Sequence, residues 1–167
     1  MIKTILSRRS IRKFKNIPIK EEDIKTILKC AMAAPSAGNE QPWHFIVIDN
    51  REILNKIPKF HPYSEMLYES PLAIVVCGEK SLEKYKDRIP LDCSTATENL
   101  LLAAHSLGLG AVWLGVYPEK QRISDVSELL KIPDGVIPIS LVALGYPDEK
   151  KEPSNRFKEE RIHINKF

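Results

Sequence analysis

Apolar positions along the chain fall into short blocks whose spacing predicts alternating helices and strands. Residues 2 to 7 suit a short helix, and Lys20 to Ala34 place Ile24, Ile27, Leu28 and Ala31 at helical spacing until Pro35 stops the run. Phe45-Ile46-Val47-Ile48 and Leu72 to Cys77 are continuous apolar runs of strand length, the pattern of strands buried on both faces. Arg51 to Ile57 predicts a short helix, whereas Pro58 to Ser70 follows no single period.

Asp92 reads as the cap of a long helix. From there to Leu107 apolar residues nearly encircle the axis, among them Ala96, Leu100, Leu101, Leu102, Ala103 and Ala104, so the helix must be covered on most sides. Gly108 reads as its terminator. A strand over Ala111 to Leu114, a helix near Gln121 to Leu130 and a strand over Val136 to Leu144 follow. The stretch from Tyr146 to Phe167 is polar and contains proline, but Arg161-Ile162-His163-Ile164 alternates as an edge strand would, suited to pairing with a partner subunit.

Length and composition narrow this picture. A chain of 167 residues with 43% hydrophobic content buries one core, which predicts a single domain over 1–167. The net charge of +3 is too small to signal nucleic-acid binding. It is unevenly spread, however: residues 1–29 hold nine basic groups against three acids, which points to an anionic ligand near the N-terminus. Cys30, Cys77 and Cys93 lack metal-ligand spacing and read as buried, reduced thiols of a cytoplasmic protein. No apolar run approaches the roughly 20 residues of a membrane span, so neither membrane nor secretion is expected. The four histidines lack zinc spacing, His105 reads as a satisfied core residue, and no metal site, P-loop or nucleophile elbow is expected.

Three segments carry candidate chemistry. Arg8, Arg9, Ser10 and Arg12 combine forked guanidinium donors with a hydroxyl, the donor set of a phosphate site, although a solvated basic face has the same composition. Pro35-Ser36-Ala37-Gly38-Asn39-Glu40-Gln41-Pro42 joins small residues, which let a ligand approach the backbone, to the hydrogen-bonding side chains of Ser36, Asn39 and Gln41; an ordinary helix-to-strand turn reads the same way. The glycines of Leu107 to Gly115 follow a helix and precede a strand, the reverse of a Rossmann fingerprint, so no separate dinucleotide fold is expected.

In this order, together with Asn99 to Ala104, Pro138 through Gly145-Tyr146-Pro147, and Arg156, the segments resemble the FMN-dependent nitroreductase family over nearly the whole chain. The resemblance implies an α+β fold, a central mixed β-sheet surrounded by helices, in an interlocked homodimer with FMN at the subunit interface. It implies cofactor contacts from Arg8, Arg9, Ser10, Arg12 and Arg156 to phosphate or ribityl oxygens, from Pro35, Ser36, Ala37, Asn39 and Gln41 to the ring or ribityl chain, and from Trp113, Leu114 and Gly115 near the reactive flavin nitrogen. The flavin carries the chemistry, so no catalytic side chain is assigned. NADH or NADPH is the implied transient reductant and a small electron-poor molecule, such as a nitroaromatic or quinone, the acceptor, in ping-pong alternation. Reductive dehalogenation, other flavin chemistry on the scaffold, or non-catalytic FMN binding are the alternatives. Larger members carry an insertion where this chain has only Gly78 to Leu91, whose Lys80, Lys84, Tyr85, Lys86 and Arg88 read as a short basic lid or as solvated surface.

Overall fold

The computed structural model describes all residues, Met1 to Phe167. Four strands, β1 (Trp43–Ile48), β2 (Leu72–Glu79), β3 (Gly110–Gly115) and β4 (Val136–Gly145), form one sheet in the order β1-β2-β4-β3. Five helices accompany them: α1 (Ile2–Ser7), α2 (Glu21–Met32), α3 (Arg51–Leu54), α4 (Ile89–Ser106) and α5 (Lys120–Leu130). The architecture is α+β, as expected. The mixed character of the sheet is narrower than expected: all four strands pair antiparallel, and parallel pairing is confined to an isolated bridge between Ser10 and Ala111.

Alternation along β2 builds the core on both faces. Leu72, Ile74 and Val76 join Ile27 and Ala31 of α2 and Ala96, Leu100 and Ala104 of α4. Ala73, Val75 and Cys77 point the other way, to Leu54, Leu67 and Val126. A central strand covered on both sides must be apolar at every position, which is why Leu72 to Cys77 reads as an unbroken run. At Cys77 the register with β4 shifts, and there the partner is Pro138, which has no N–H to give to a ladder.

Several expectations change. β1 is an edge strand, not one buried on both faces: His44 and Val47 are exposed while Trp43 and Ile48 are buried. Asp92 is not the cap of α4. The helix starts at Ile89, with Pro90 in its first turn, and Asp92 lies inside that turn with its carboxyl buried. Cys30 is exposed, unlike Cys77 and Cys93. The tail forms no strand at Arg161 to Ile164; a short 3₁₀ turn spans Glu159–Arg161, and Phe157, Ile162, Ile164 and Phe167 stand exposed. No helix is long and apolar enough to cross a membrane.

Candidate functional site

The basic segment after α1 is laid along β3. Ser10 bridges Ala111, and the Ile11 N–H donates to the Ala111 carbonyl at 3.0 Å. Gly110 makes this approach possible, because a Cβ there would stand 2.7 Å from the Ile11 side chain. The segment is then clipped to the chain beyond β4. Glu149 accepts from the backbone N–H of Arg12 (2.5 Å) and Lys13 (3.3 Å), and the Lys151 ammonium donates to the Ser10 carbonyl at 2.8 Å. Burial opposes the Glu149 charge, but the Arg12 N–H, the Lys151 ammonium and the Lys13 N–H outweigh it and hold the carboxyl below the usual range.

The four residues of the basic cluster diverge. Arg12 reaches a cavity of 410 Å³ that it lines with Tyr63, Met66, Trp113, Leu114 and Gly115. Two of the three expected segments therefore meet in a single chain. Arg8 pairs its Nε with Glu98 of α4 at 3.4 Å, and the Arg9 guanidinium binds the Glu152 carbonyl. Ser10 is half-buried on the path between them, and Arg156 sits on the exposed tail outside this cavity.

Sequence reasoning missed what holds the end of β3. The Gly115 carbonyl accepts from His61 Nε2 at 3.0 Å and from Arg122 Nη1 at 3.1 Å, and the Arg122 guanidinium lies 5.5 Å from the centre of the Tyr63 ring. Burial, and then the Arg122 charge, push His61 below its ordinary pKa against the pull of the Gly115 carbonyl. It is thus neutral, with the proton on Nε2, and Nδ1 accepts from the Tyr63 N–H at 3.4 Å. His61 and Arg122 are far apart in sequence and belong to no motif, so no local pattern singles them out.

The Pro35 loop lies elsewhere. Gly38 and Asn39 in its 3₁₀ turn Ala37–Asn39, and Gln41 just after it, lie in the left-handed region, with φ of 51°, 56° and 49°. For a glutamine this conformation is strained, and such strain persists only where surroundings impose it. The Ser36 Oγ accepts from the Gln41 N–H at 3.0 Å, and Asn39 Oδ1 accepts from Gln41 Nε2 at 2.9 Å. Asn39 and Gln41 remain exposed at the loop tip, Ser36 and Ala37 are half-buried, and Pro35 is exposed.

The loop enters β1 at Trp43, which pairs with Gly78, whereas Gly115 ends β3 opposite Ser140 of β4. Both candidate segments lie at the same end of the sheet but on opposite edges, three strand spacings or roughly 14 Å apart. One chain does not bring them into a common pocket.

Comparison with known proteins gives this arrangement a class. The profile of the nitroreductase family matches residues 5–61 and 58–146. A protein of Methanothermobacter thermautotrophicus, provisionally named an NADH dehydrogenase/NAD(P)H nitroreductase, is 50% identical over all of this chain and 87% of its own length. The solved FMN-dependent nitroreductase of Clostridium difficile superposes with a TM-score of 0.93 at 32% identity, covering 100% of both chains. The NADPH:FMN oxidoreductase of Vibrio harveyi, solved with NAD+, superposes at 0.87 with 27% identity over 99% of this chain and 77% of that one. The α+β fold and these relatives define an NAD(P)H-dependent oxidoreductase. The chain belongs to the nitroreductase family.

Proposed function

We propose that this protein is an NAD(P)H-dependent FMN oxidoreductase whose site is completed by a second copy of the chain. The observation that carries this reading is the split site: Arg12 and Trp113-Leu114-Gly115 share one cavity, while the strained Ser36 to Gln41 loop presents its polar tip from the opposite sheet edge. A symmetric homodimer lets the loop of one protomer close the cavity of its partner.

The donor set fits FMN. Arg12 at the cavity, with the half-buried Ser10 next to it, would carry the phosphate site, Arg156 would arrive on the tail, and Arg8 and Arg9 would join by leaving Glu98 and the Glu152 carbonyl. Met66 and Trp113 give the cavity apolar walls for a planar ring, and Asn39 and Gln41 supply donors and acceptors for its polar end, with Pro35, Ser36 and Ala37 carrying them. When bound, FMN would supply a two-electron centre for hydride transfer from NADH or NADPH to an electron-poor acceptor such as a nitroaromatic or quinone, in ping-pong alternation through one pocket. His61 and Arg122 fix the Gly115 peptide beside it, and Trp113 helps exclude water.

Two features support the dimer. β1 is a free edge, and the tail beyond Glu152 is exposed while carrying Phe157, Ile162, Ile164 and Phe167. Exposed apolar residues on a polar tail suit coverage of a partner's edge strand. The chain 1–167 works as one domain in each protomer, and its unpaired cysteines favour a reducing, cytoplasmic setting.

Purified protein should be yellow, release FMN on denaturation, and bleach anaerobically with NADH or NADPH. Colour without bleaching would make it an FMN-binding protein only, and a colourless protein indifferent to added FMN would overturn the reading. An acceptor screen on the reduced protein then identifies the substrate class.

A further inference from the structure

Beneath the Pro35 loop lie two acids that the redox reading does not use. Glu40 is 6% exposed and Asp92 5%. One oxygen of each is engaged with backbone. Asp92 Oδ1 accepts from the Ala37 N–H at 3.0 Å, and Glu40 Oε2 accepts from the N–H of Lys84 at 2.8 Å and of Tyr85 at 3.2 Å. The other oxygens, Glu40 Oε1 and Asp92 Oδ2, are buried with no donor from the rest of the protein. Asp92 binds the N–H of Ala37, three residues before Glu40, so both buried acids with an unsatisfied oxygen serve one short turn, and each acts on the other's titration.

Two buried carboxylates that act on each other repel strongly, and each would leave an acceptor unsatisfied. A single proton between them removes both penalties. We propose that Glu40 and Asp92 share one proton and act as a positioning pair, clasping the Ser36 to Gln41 loop to α4 and to the strap of residues 80–88. The surroundings assign the proton to Asp92. Burial, the Glu40 hydrogen bond and the Glu40 charge raise its pKa against the Ala37 N–H and Arg88. Burial would raise Glu40 too, but the Lys84 and Tyr85 N–H groups, the Asp92 hydrogen bond and the Lys84 charge bring it below the usual range. Among neighbouring charges, Lys84 favours the Glu40 carboxylate and Arg88 that of Asp92, while the Cys93 thiol is pushed up to about 12 and stays neutral.

The clasp reaches the loop's strained tip. Tyr85, whose N–H Glu40 binds, lays its ring on Gly38, where an added Cβ would lie 2.2 Å from the ring. Thr95, one helical turn beyond Asp92, shares its hydroxyl proton between the Asp92 carbonyl at 2.7 Å and the Pro35 carbonyl at 2.9 Å. Helix, loop and strap thus form one unit through the acid pair, and the loop conformation offered to a ligand depends on it.

The cofactor part of this inference rests on the proposed function, but the clasp itself is measurable without it. Hydrogen exchange at the Ala37, Lys84 and Tyr85 amides, corrected for intrinsic rate, is followed as pH rises. Wild type is expected to lose protection at all three, by up to about tenfold for each pK unit of coupling, as Asp92 ionises. Asp92→Asn is expected to abolish that dependence, because an amide accepts from Ala37 and donates to Glu40 Oε1 at every pH. In the same series the FMN dissociation constant should rise with pH in wild type and stay flat in Asp92→Asn. Identical pH profiles for wild type and Asp92→Asn, in exchange and in FMN affinity, would overturn the pair. Amides that respond as expected in a protein that binds no FMN would uphold the pair and overturn the proposed function alone.

Discussion

The Nε2–H of His61 donates to the Gly115 carbonyl across 3.0 Å and so fixes the last residue of β3 to a loop more than fifty positions earlier in the chain. Arg122 Nη1 holds the same oxygen at 3.1 Å. Because the histidine is buried and neutral, its contribution depends on pH in a definite sense. Its folded pKa is depressed, so the unfolded chain takes up a proton first as pH falls. Stability from His61 is present above the ordinary histidine range and is lost as pH drops through that range toward the depressed folded value. Chemical denaturation between pH 8 and 5 should show this decline in wild type and a flatter profile in His61→Gln, which keeps a donor but does not titrate there.

Removing the side chain is a harsher change. His61→Ala leaves a buried cavity and one fewer donor on Gly115, with an expected loss of about 2 to 3 kcal/mol in urea denaturation. The FMN-binding reading adds weaker flavin affinity in whatever fraction stays folded.

Arg12→Ala and Arg156→Ala test the phosphate site separately. Each is expected to weaken FMN binding by about tenfold to a hundredfold if it makes a charge-assisted phosphate bond, measured by flavin fluorescence quenching. The affinity should also fall with added salt. An unchanged dissociation constant in either variant removes that arginine from the site.

Gly110→Ala sets a Cβ 2.7 Å from Ile11, so the basic segment must lift from β3. The expected cost is about 1 to 3 kcal/mol in thermal or denaturant unfolding. Ser10 and Arg12 move with that segment, so FMN affinity should fall even at temperatures where the protein is folded. Native stability with intact binding would show that the approach is not required.

Ending the chain after Ser154 keeps the contacts of Glu149, Lys151 and Glu152 with the N-terminal segment but deletes Arg156 and the apolar tail. Molar mass by light scattering should fall from that of the proposed dimer to that of a monomer, with loss of flavin. A truncated protein that stays dimeric and yellow would mean that the tail does not cover the partner.

Thiol accessibility separates the cysteines. Cys77 and Cys93 are buried, and burial pushes each thiol up to about 12, so neither should react in the native protein. Mass spectrometry after alkylation should show label on at most Cys30 before unfolding and on all three afterwards.

Most elements and the chemical repertoire are legible in the amino-acid pattern alone. Continuous apolarity marked β2 because both faces of a central strand are covered, helical spacing marked α2, and Gly108 marked the end of α4 because its φ of 79° suits glycine. It also supplied Arg12, the Pro35 loop and Trp113 to Gly115 as candidates. Tertiary structure decided which of these meet. β1 looked like a central strand because apolar composition does not encode sheet order, and only pairing put it at an edge. Asp92 looks like a cap because a helix start is read from local polarity, whereas its carboxyl accepts from the Ala37 N–H, a partner brought to it by the packing of loop on helix. His61 and Arg122 were invisible for the same reason: hydrogen bonds to a backbone carbonyl across long sequence separations leave no periodicity. Local patterning fixes what a segment becomes, and long-range packing fixes what it faces.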